Sequence, residues 1–176
     1  YKKPPMLPNE ETLQQIEQGG FGLLNDHGLV RYEISAYAKE GFQSQHNLNY
    51  WRFGDYLGIG AGAHSKLTNN KNIVTRHWQV RQPKDYMDRS KSFTANKKTL
   101  CEQEIIFEYM MNVLRLYERQ SLADFEKTTN LSRNKISKQL ATAKKKGFLK
   151  EENFIETTDR GKLFLNDLLE VFMAKN

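Results

Sequence analysis

The residues with the most chemical potential lie together at His46-Asn47-Leu48-Asn49-Tyr50-Trp51. A neutral imidazole can serve as an axial ligand to heme iron, and a partner on its other nitrogen fixes the tautomer. The Tyr50 and Trp51 rings are flat surfaces against which a porphyrin can pack. Lys39 and Arg52 can pair with carboxylates such as propionates. The same residues also suit a loop whose aromatics plug the end of a barrel, with His46 held in a structural hydrogen bond. Taken on chemistry alone, this structural alternative is the favoured one.

A second cluster is Gly58-Ile59-Gly60-Ala61-Gly62-Ala63-His64. Glycines let a backbone approach a bound nucleotide closely, or they simply permit tight packing at the end of a strand. Gly58-x-Gly60-x-x-Ala63 also fits a loose dinucleotide fingerprint. His64 to Asn70, however, is polar and turn-like rather than the start of a crossover helix, so no Rossmann site is expected. Cys101 is the one cysteine; it allows no internal disulfide and no CxxC metal site, fits a reducing compartment, and reads as an ordinary packing or surface residue. His27 and His77 lack neighbours at metal-ligand spacing. Between Leu131 and Lys150 lie Arg133, Lys135, Lys138, Lys144, Lys145, Lys146 and Lys150 without an acidic residue. Such a helix could neutralise phosphates in a major groove. Lys144 to Lys146 equally suit a helix C-terminus, where the dipole favours cations.

These residues need elements to position them. The chain of 176 residues is 38% apolar and 27% charged, a globular balance that can bury one good core or two small ones. No apolar run reaches the roughly 20 residues of a membrane span and no leader pattern opens the chain, so a soluble, cytoplasmic protein is expected. A start at Tyr1 without an initiator Met hints at a fragment. The net charge of +6 favours an anionic partner, either nucleic acid or a porphyrin with propionates.

Residues 1–8 read as an extended, proline-rich entry. Asn9 can cap a helix with Glu10 and Glu11 in its first turn, Leu13, Ile16, Gly20 and Leu24 on one face, and Gly28 as a stop. Leu29 to Ile34 reads as a strand, and helix followed by strand suggests a parallel sheet with crossover helices. Residues 41–55 read as a long functional loop with one helical turn. Further strands are expected at Tyr56 to Gly60 and Ile73 to Val80. From about residue 92 the pattern becomes helical. Cys101 to Glu118 is amphipathic, Ser121 to Asp124 is a capping box, and Ser132 can cap a helix carrying Ile136, Leu140 and Ala143. Gly147 ends that helix, Phe148-Leu149 and Phe154-Ile155 suggest a hairpin, and Thr158 starts a last helix.

Three runs taken together resemble the central signature of the HemW-type branch of the oxygen-independent coproporphyrinogen III oxidase family. They are Tyr32 to Lys39, His46 to Trp51, and Gly54-Asp55-Tyr56-Leu57-Gly58-Ile59-Gly60-Ala61-Gly62-Ala63-His64. The His-Asn-x-x-Tyr-Trp element marks the heme-handling branch, and its defining residues are all present. The resemblance is strongest over residues 29–64 and continues more weakly to the C-terminus. It implies a radical S-adenosylmethionine protein with a partial (β/α) barrel. Heme is then expected at His46, Asn47, Tyr50 and Trp51, with His46 on the iron. Tyr37, Ala38, Gly60, Gly62, Ala63 and His64 are expected on the S-adenosylmethionine side. The family's [4Fe–4S] cluster needs a CxxxCxxC motif that this chain lacks, so radical chemistry is expected only of a longer parent.

The resulting expectation is an α+β chain. Residues 1–91 supply the last part of an incomplete radical S-adenosylmethionine barrel, and residues 92–176 form a helical, winged-helix-like C-terminal domain. The implied function is heme binding and delivery to client heme proteins. Oxidative decarboxylation of coproporphyrinogen III is the first alternative, against which the His-Asn-x-x-Tyr-Trp element argues. A winged-helix DNA-binding module is the second, and nucleic acid is set aside as a partner because a solvated basic face explains the same lysines.

Overall fold

The computed structural model describes residues 5–88, 90–151 and 153–173. The expected entry segment falls partly outside these residues; from Pro5 to Asn9 it has no regular structure. The chain divides into two compact units, residues 1–43 and 44–176.

The first unit holds helix α1 (Glu10–Asp26) and a hairpin of β1 (Val30–Glu33) and β2 (Ala36–Ala38). The Asn9 side chain accepts a hydrogen bond of 2.8 Å from the Thr12 amide, satisfying one of the free donors at the helix start. Gly28 follows the helix with a positive φ of 74°, as a C-terminal stop requires. No residue of α1 is buried. Leu13, Ile16 and Leu23 remain 44%, 61% and 62% exposed.

The second unit begins with α2 (Gln45–Trp51), followed by an antiparallel meander of β3 (His64–Thr68), β4 (Val74–Gln79) and β5 (Thr94–Thr99) with the short α3 (Pro83–Tyr86) between its last two strands. Then come α4 (Glu102–Val113), β6 (Gln120–Ser121), α5 (Leu122–Thr129), a 3-10 turn at Arg133–Lys135, α6 (Ser137–Lys145), β7 (Phe154–Ile155), α7 (Asp159–Leu163) and α8 (Leu165–Glu170). Strands β6 and β7 pair antiparallel, and Leu149 bridges Thr157, which closes a small hairpin behind α6.

The core lies along α4. Ile105, Ile106, Tyr109, Met110, Val113 and Leu114 are buried with Phe125, Ile136, Leu140, Ile155, Leu168 and Phe172. Phe53 and Val74 belong to the same buried cluster. Tyr109 meets Phe53 and Phe125 edge to face, with centroids 5.8 and 5.1 Å apart, the arrangement that ring quadrupoles favour.

Several expectations are corrected. The sheets are antiparallel, not parallel: β1 turns back through a tight hairpin instead of feeding a crossover helix. The strand expected at Tyr56 to Gly60 shrinks to a single bridge between Tyr56 and Lys66. Glycine φ values of +113° at Gly60 and +71° at Gly62 break the extended run. The stretch His64 to Asn70, which looks turn-like for its polarity, contains β3 instead. The loop at 41–55 contains the seven-residue helix α2, longer than the single turn expected, capped by Ser44, whose hydroxyl accepts from the Asn47 amide at 3.3 Å. Strand β5 carries no hydrophobic alternation because all its residues are exposed at the sheet edge.

Candidate functional site: an aromatic helix beside a small cavity

The seven residues of α2 place His46 and Tyr50 one turn apart, and Asn47 and Trp51 one turn apart beside them. Leu48 is the buried residue of the helix. His46 is exposed. Its ring stands edge-on to Tyr50, with centroids 4.8 Å apart and planes at 80°. Among the described residues neither of its ring nitrogens has a hydrogen-bond partner. It is therefore neither sealed in the interior nor tied to backbone.

Asn47, Tyr50 and Trp51 line a cavity of about 130 Å³ together with Phe53, Tyr56, Lys66 and Arg76. That volume suits a few atoms, whereas enclosed ligand sites run from roughly 300 Å³ upward. The rings already have protein neighbours. Tyr50 leans on Tyr56 at 4.4 Å, and the Arg115 guanidinium sits 4.3 Å from the Trp51 ring centre. The Trp51 indole nitrogen is buried without an acceptor among the described residues.

The floor of the cavity is ionic. Lys66, on β3, is enclosed, and its Nζ donates to the Phe53 carbonyl at 2.8 Å and to Asp55 Oδ1 at 2.7 Å. Burial pulls the Lys66 amine below its usual range, against the pull of Asp55. Partial burial pushes the Asp55 carboxyl up, but bonds from Lys66 and from the amide and hydroxyl of Thr68 outweigh it and hold it below its usual value. Arg76, on β4, donates from Nε to Glu108 Oε2 at 3.0 Å and from Nη1 to the Tyr56 hydroxyl at 2.6 Å. Lys66, Arg76 and Glu108 sit in no motif; sheet pairing and the packing of α4 bring them together.

Other expected site residues fall elsewhere. Arg52 makes a bidentate pair with Glu118, at 2.8 and 2.9 Å, so it is already engaged. Lys39, Tyr37 and Ala38 belong to the first unit; Ala38 is buried, and Tyr37 faces Phe21 at 5.9 Å. Gly60, Gly62 and Ala63 form the turn before β3, where Gly62 donates to the Val80 carbonyl and Gly60 to the Tyr86 hydroxyl. A Cβ at Gly60 would meet nothing, so its positive φ, not crowding, calls for glycine. Gly58 is different: a Cβ there would lie 2.1 Å from the His64 carbonyl oxygen, so this glycine serves the chain's own packing. His64 is exposed and edge-on to Trp78 at 5.9 Å. Cys101 is exposed and precedes α4. In the basic stretch, Arg133, Lys135 and Lys150 pair with Glu126, Glu102 and Glu156. Among the described residues no group of acidic, His or Cys side chains could hold a metal ion, and no helix is long and apolar enough to cross a membrane.

The HemN C-terminal domain family matches residues 100–164. The heme chaperone HemW of Haemophilus influenzae is 41% identical over 174 residues, 98% of this chain and 45% of that protein. HemW of Escherichia coli is 41% identical over the same length, 46% of its own. This chain belongs to the HemW-type family. It spans a little under half the length of these HemW relatives. A solved structure of coproporphyrinogen III oxidase (HemN) from Escherichia coli, described as a radical SAM enzyme, matches 94% of this chain and 42% of its own with a TM-score of 0.65. At 17% identity that likeness shows a shared mixed α/β fold. The HemW relatives are named as heme chaperones, the HemN structure as an oxidase.

Proposed function

We propose that this chain is the heme-presenting part of a heme chaperone, which binds heme and passes it to client heme proteins in the cytoplasm. The observation that carries the reading is the His46 imidazole, exposed on α2, flanked by Tyr50 and without a hydrogen-bond partner among the described residues. Heme, when bound, supplies an iron with a coordination position for a nitrogen ligand. His46 gives that ligand, Tyr50 and Trp51 give flat neighbours, and Asn47 lies at the rim of the cavity. A carboxylate arm would pair with Arg52 once that guanidinium releases Glu118. An open surface site suits delivery, since a ligand to be handed on must leave without a buried cavity having to open.

The rest of the reading follows the family. S-adenosylmethionine and a [4Fe–4S] cluster are assigned to the full-length parent alone. The single Cys101 does not fit a cluster, so no step through that group is derived for this chain. Tyr37, Ala38, Gly60, Gly62, Ala63 and His64 are proposed for the S-adenosylmethionine side; the positive-φ glycines at 60 and 62, which keep the turn free of side chains, support it. Residues 1–91 are proposed as the last part of the partial barrel and residues 92–176 as the winged-helix-like C-terminal domain. The helix–strand–helix–helix–hairpin order from α4 to β7 supports the latter.

Hemin titrated into the full-length protein should give a visible spectrum of ligated heme that changes in His46→Ala. A spectrum identical in the two proteins removes His46 from the site.

A further inference from the structure

Among the described residues the His46 imidazole has no hydrogen-bond partner of the kind that ordinarily orients a metal-ligating histidine. In most such sites the second ring nitrogen donates to a carboxylate or carbonyl, which fixes both tautomer and ring plane. Here the ring meets the edge of Tyr50 instead. An aromatic contact can orient an exposed side chain only if the second ring is itself held.

Tyr50 is held. Its ring leans on Tyr56 at 4.4 Å. Tyr56 is fixed at two points: its backbone exchanges hydrogen bonds of 2.9 and 3.0 Å with Lys66 of β3, and its hydroxyl accepts one of 2.6 Å from Arg76 of β4. Arg76 is anchored by Glu108 of the core helix α4, the two side chains being only 18% and 21% exposed. The contacts run without a break from α4, through the sheet, to a ring at the surface.

We infer that Tyr56 and Arg76 are positioning residues that fix the plane of the His46 imidazole through Tyr50. The inference rests on the reading of His46 as a heme ligand for its purpose, but the arrangement exists without heme. Tyr56 supplies the surface that stops Tyr50 turning, and Arg76 clamps the far end of Tyr56. Removing the clamp frees Tyr50, and the imidazole then samples several rotamers in place of one.

The heme-free chain tests this by nuclear magnetic resonance. The ring protons of His46 should be displaced from free-peptide positions by the ring current of Tyr50. Most of that displacement should vanish in Tyr56→Phe, which keeps the ring and loses the hydroxyl, and in Arg76→Gln. The methyl signals of Leu140 and Ile155 should stay put, which separates loss of positioning from loss of fold. His46 signals unmoved in both variants overturn the inference. In a second arm, hemin affinity in either variant should fall about tenfold, as when the support of a metal ligand is removed. A hemin spectrum that responds to His46→Ala but to neither variant sinks the positioning role alone. One that ignores His46→Ala sinks the heme reading, while the ring shifts still decide the positioning.

Discussion

A lysine amine enclosed by protein needs an anion within reach, and Lys66 has one in Asp55. Lys66→Met keeps the stem but strands the Phe53 carbonyl and weakens the support of Asp55. Breaking a buried pair costs about 3–5 kcal/mol; with Asp55 partly open to solvent, urea unfolding should show a loss of about 1–3 kcal/mol. A loss under about 0.5 kcal/mol would mean that water replaces the amine freely. Because the Asp55 carboxyl is held below its usual value, the wild-type pair contributes stability above the ordinary carboxylate range and loses it as the solution is acidified. His46, Tyr50 and Trp51 are noticeable in the sequence as candidates by residue type, although the stretch reads there as a loop and the one-turn spacing of His46 and Tyr50 comes from α2. Lys66, Arg76 and Glu108 are not, since they meet only through strand register and helix packing, which no local pattern encodes.

Helix α4 begins under an electrostatic clasp. Glu104 accepts from the Cys101 amide at 3.0 Å and pairs with Lys98 of β5. The Lys98 ammonium first, and the Cys101 amide second, hold its carboxyl down to about 2 from a usual 4.5. A depressed carboxylate stabilises the fold above its unfolded value and ceases to do so as pH falls through the folded one. The wild type should thus lose stability relative to Glu104→Gln between pH 4.5 and 2; acid titrations of the two proteins that run parallel across that window would refute the clasp. The helices of the second unit are legible because caps and apolar spacing agree: Ser121 accepts from the Asp124 amide at 3.0 Å, as its capping-box pattern implies. The strands are less so. In β3 the buried residues are the adjacent, polar Ser65 and Lys66, and fully exposed β5 has no inward face, so neither writes an apolar alternation, while Tyr56 to Gly60 looks extended until the positive φ of Gly60 is placed in it.

At the scale of the whole molecule, the core around α4 reaches back past residue 92. Phe53 is 1% exposed against Tyr109, and Val74 is equally buried. Residues 44–176 expressed alone should unfold in one transition. Residues 93–176 alone should keep a mainly helical circular dichroism spectrum yet be less stable by about 3–6 kcal/mol, the worth of two buried apolar side chains. A β-dominated spectrum would defeat the helical assignment, and equal stability would mean that Phe53 and Val74 contribute nothing. The mixed α/β character can be read from apolar periodicity, but the change toward helix comes later than residue 92, since β5 spans Thr94–Thr99, and the antiparallel pairing of β1 with β2 depends on a two-residue turn at Ile34 and Ser35 that periodicity cannot see. Helix α1, in contrast, has no fully buried residue and carries Gly19, Gly20 and Gly22. Beyond local terms it leans on the hairpin through Phe21, which meets the Tyr37 ring and the Arg31 guanidinium, so its tertiary support is slight and the helix is marginal in water. Both tryptophans, Trp51 and Trp78, lie in the second unit. Indole emission therefore reports on the second unit and far-ultraviolet ellipticity on both, so a helix α1 that melts by itself sets the two transitions apart, and a single two-state free energy then no longer describes the chain as a whole.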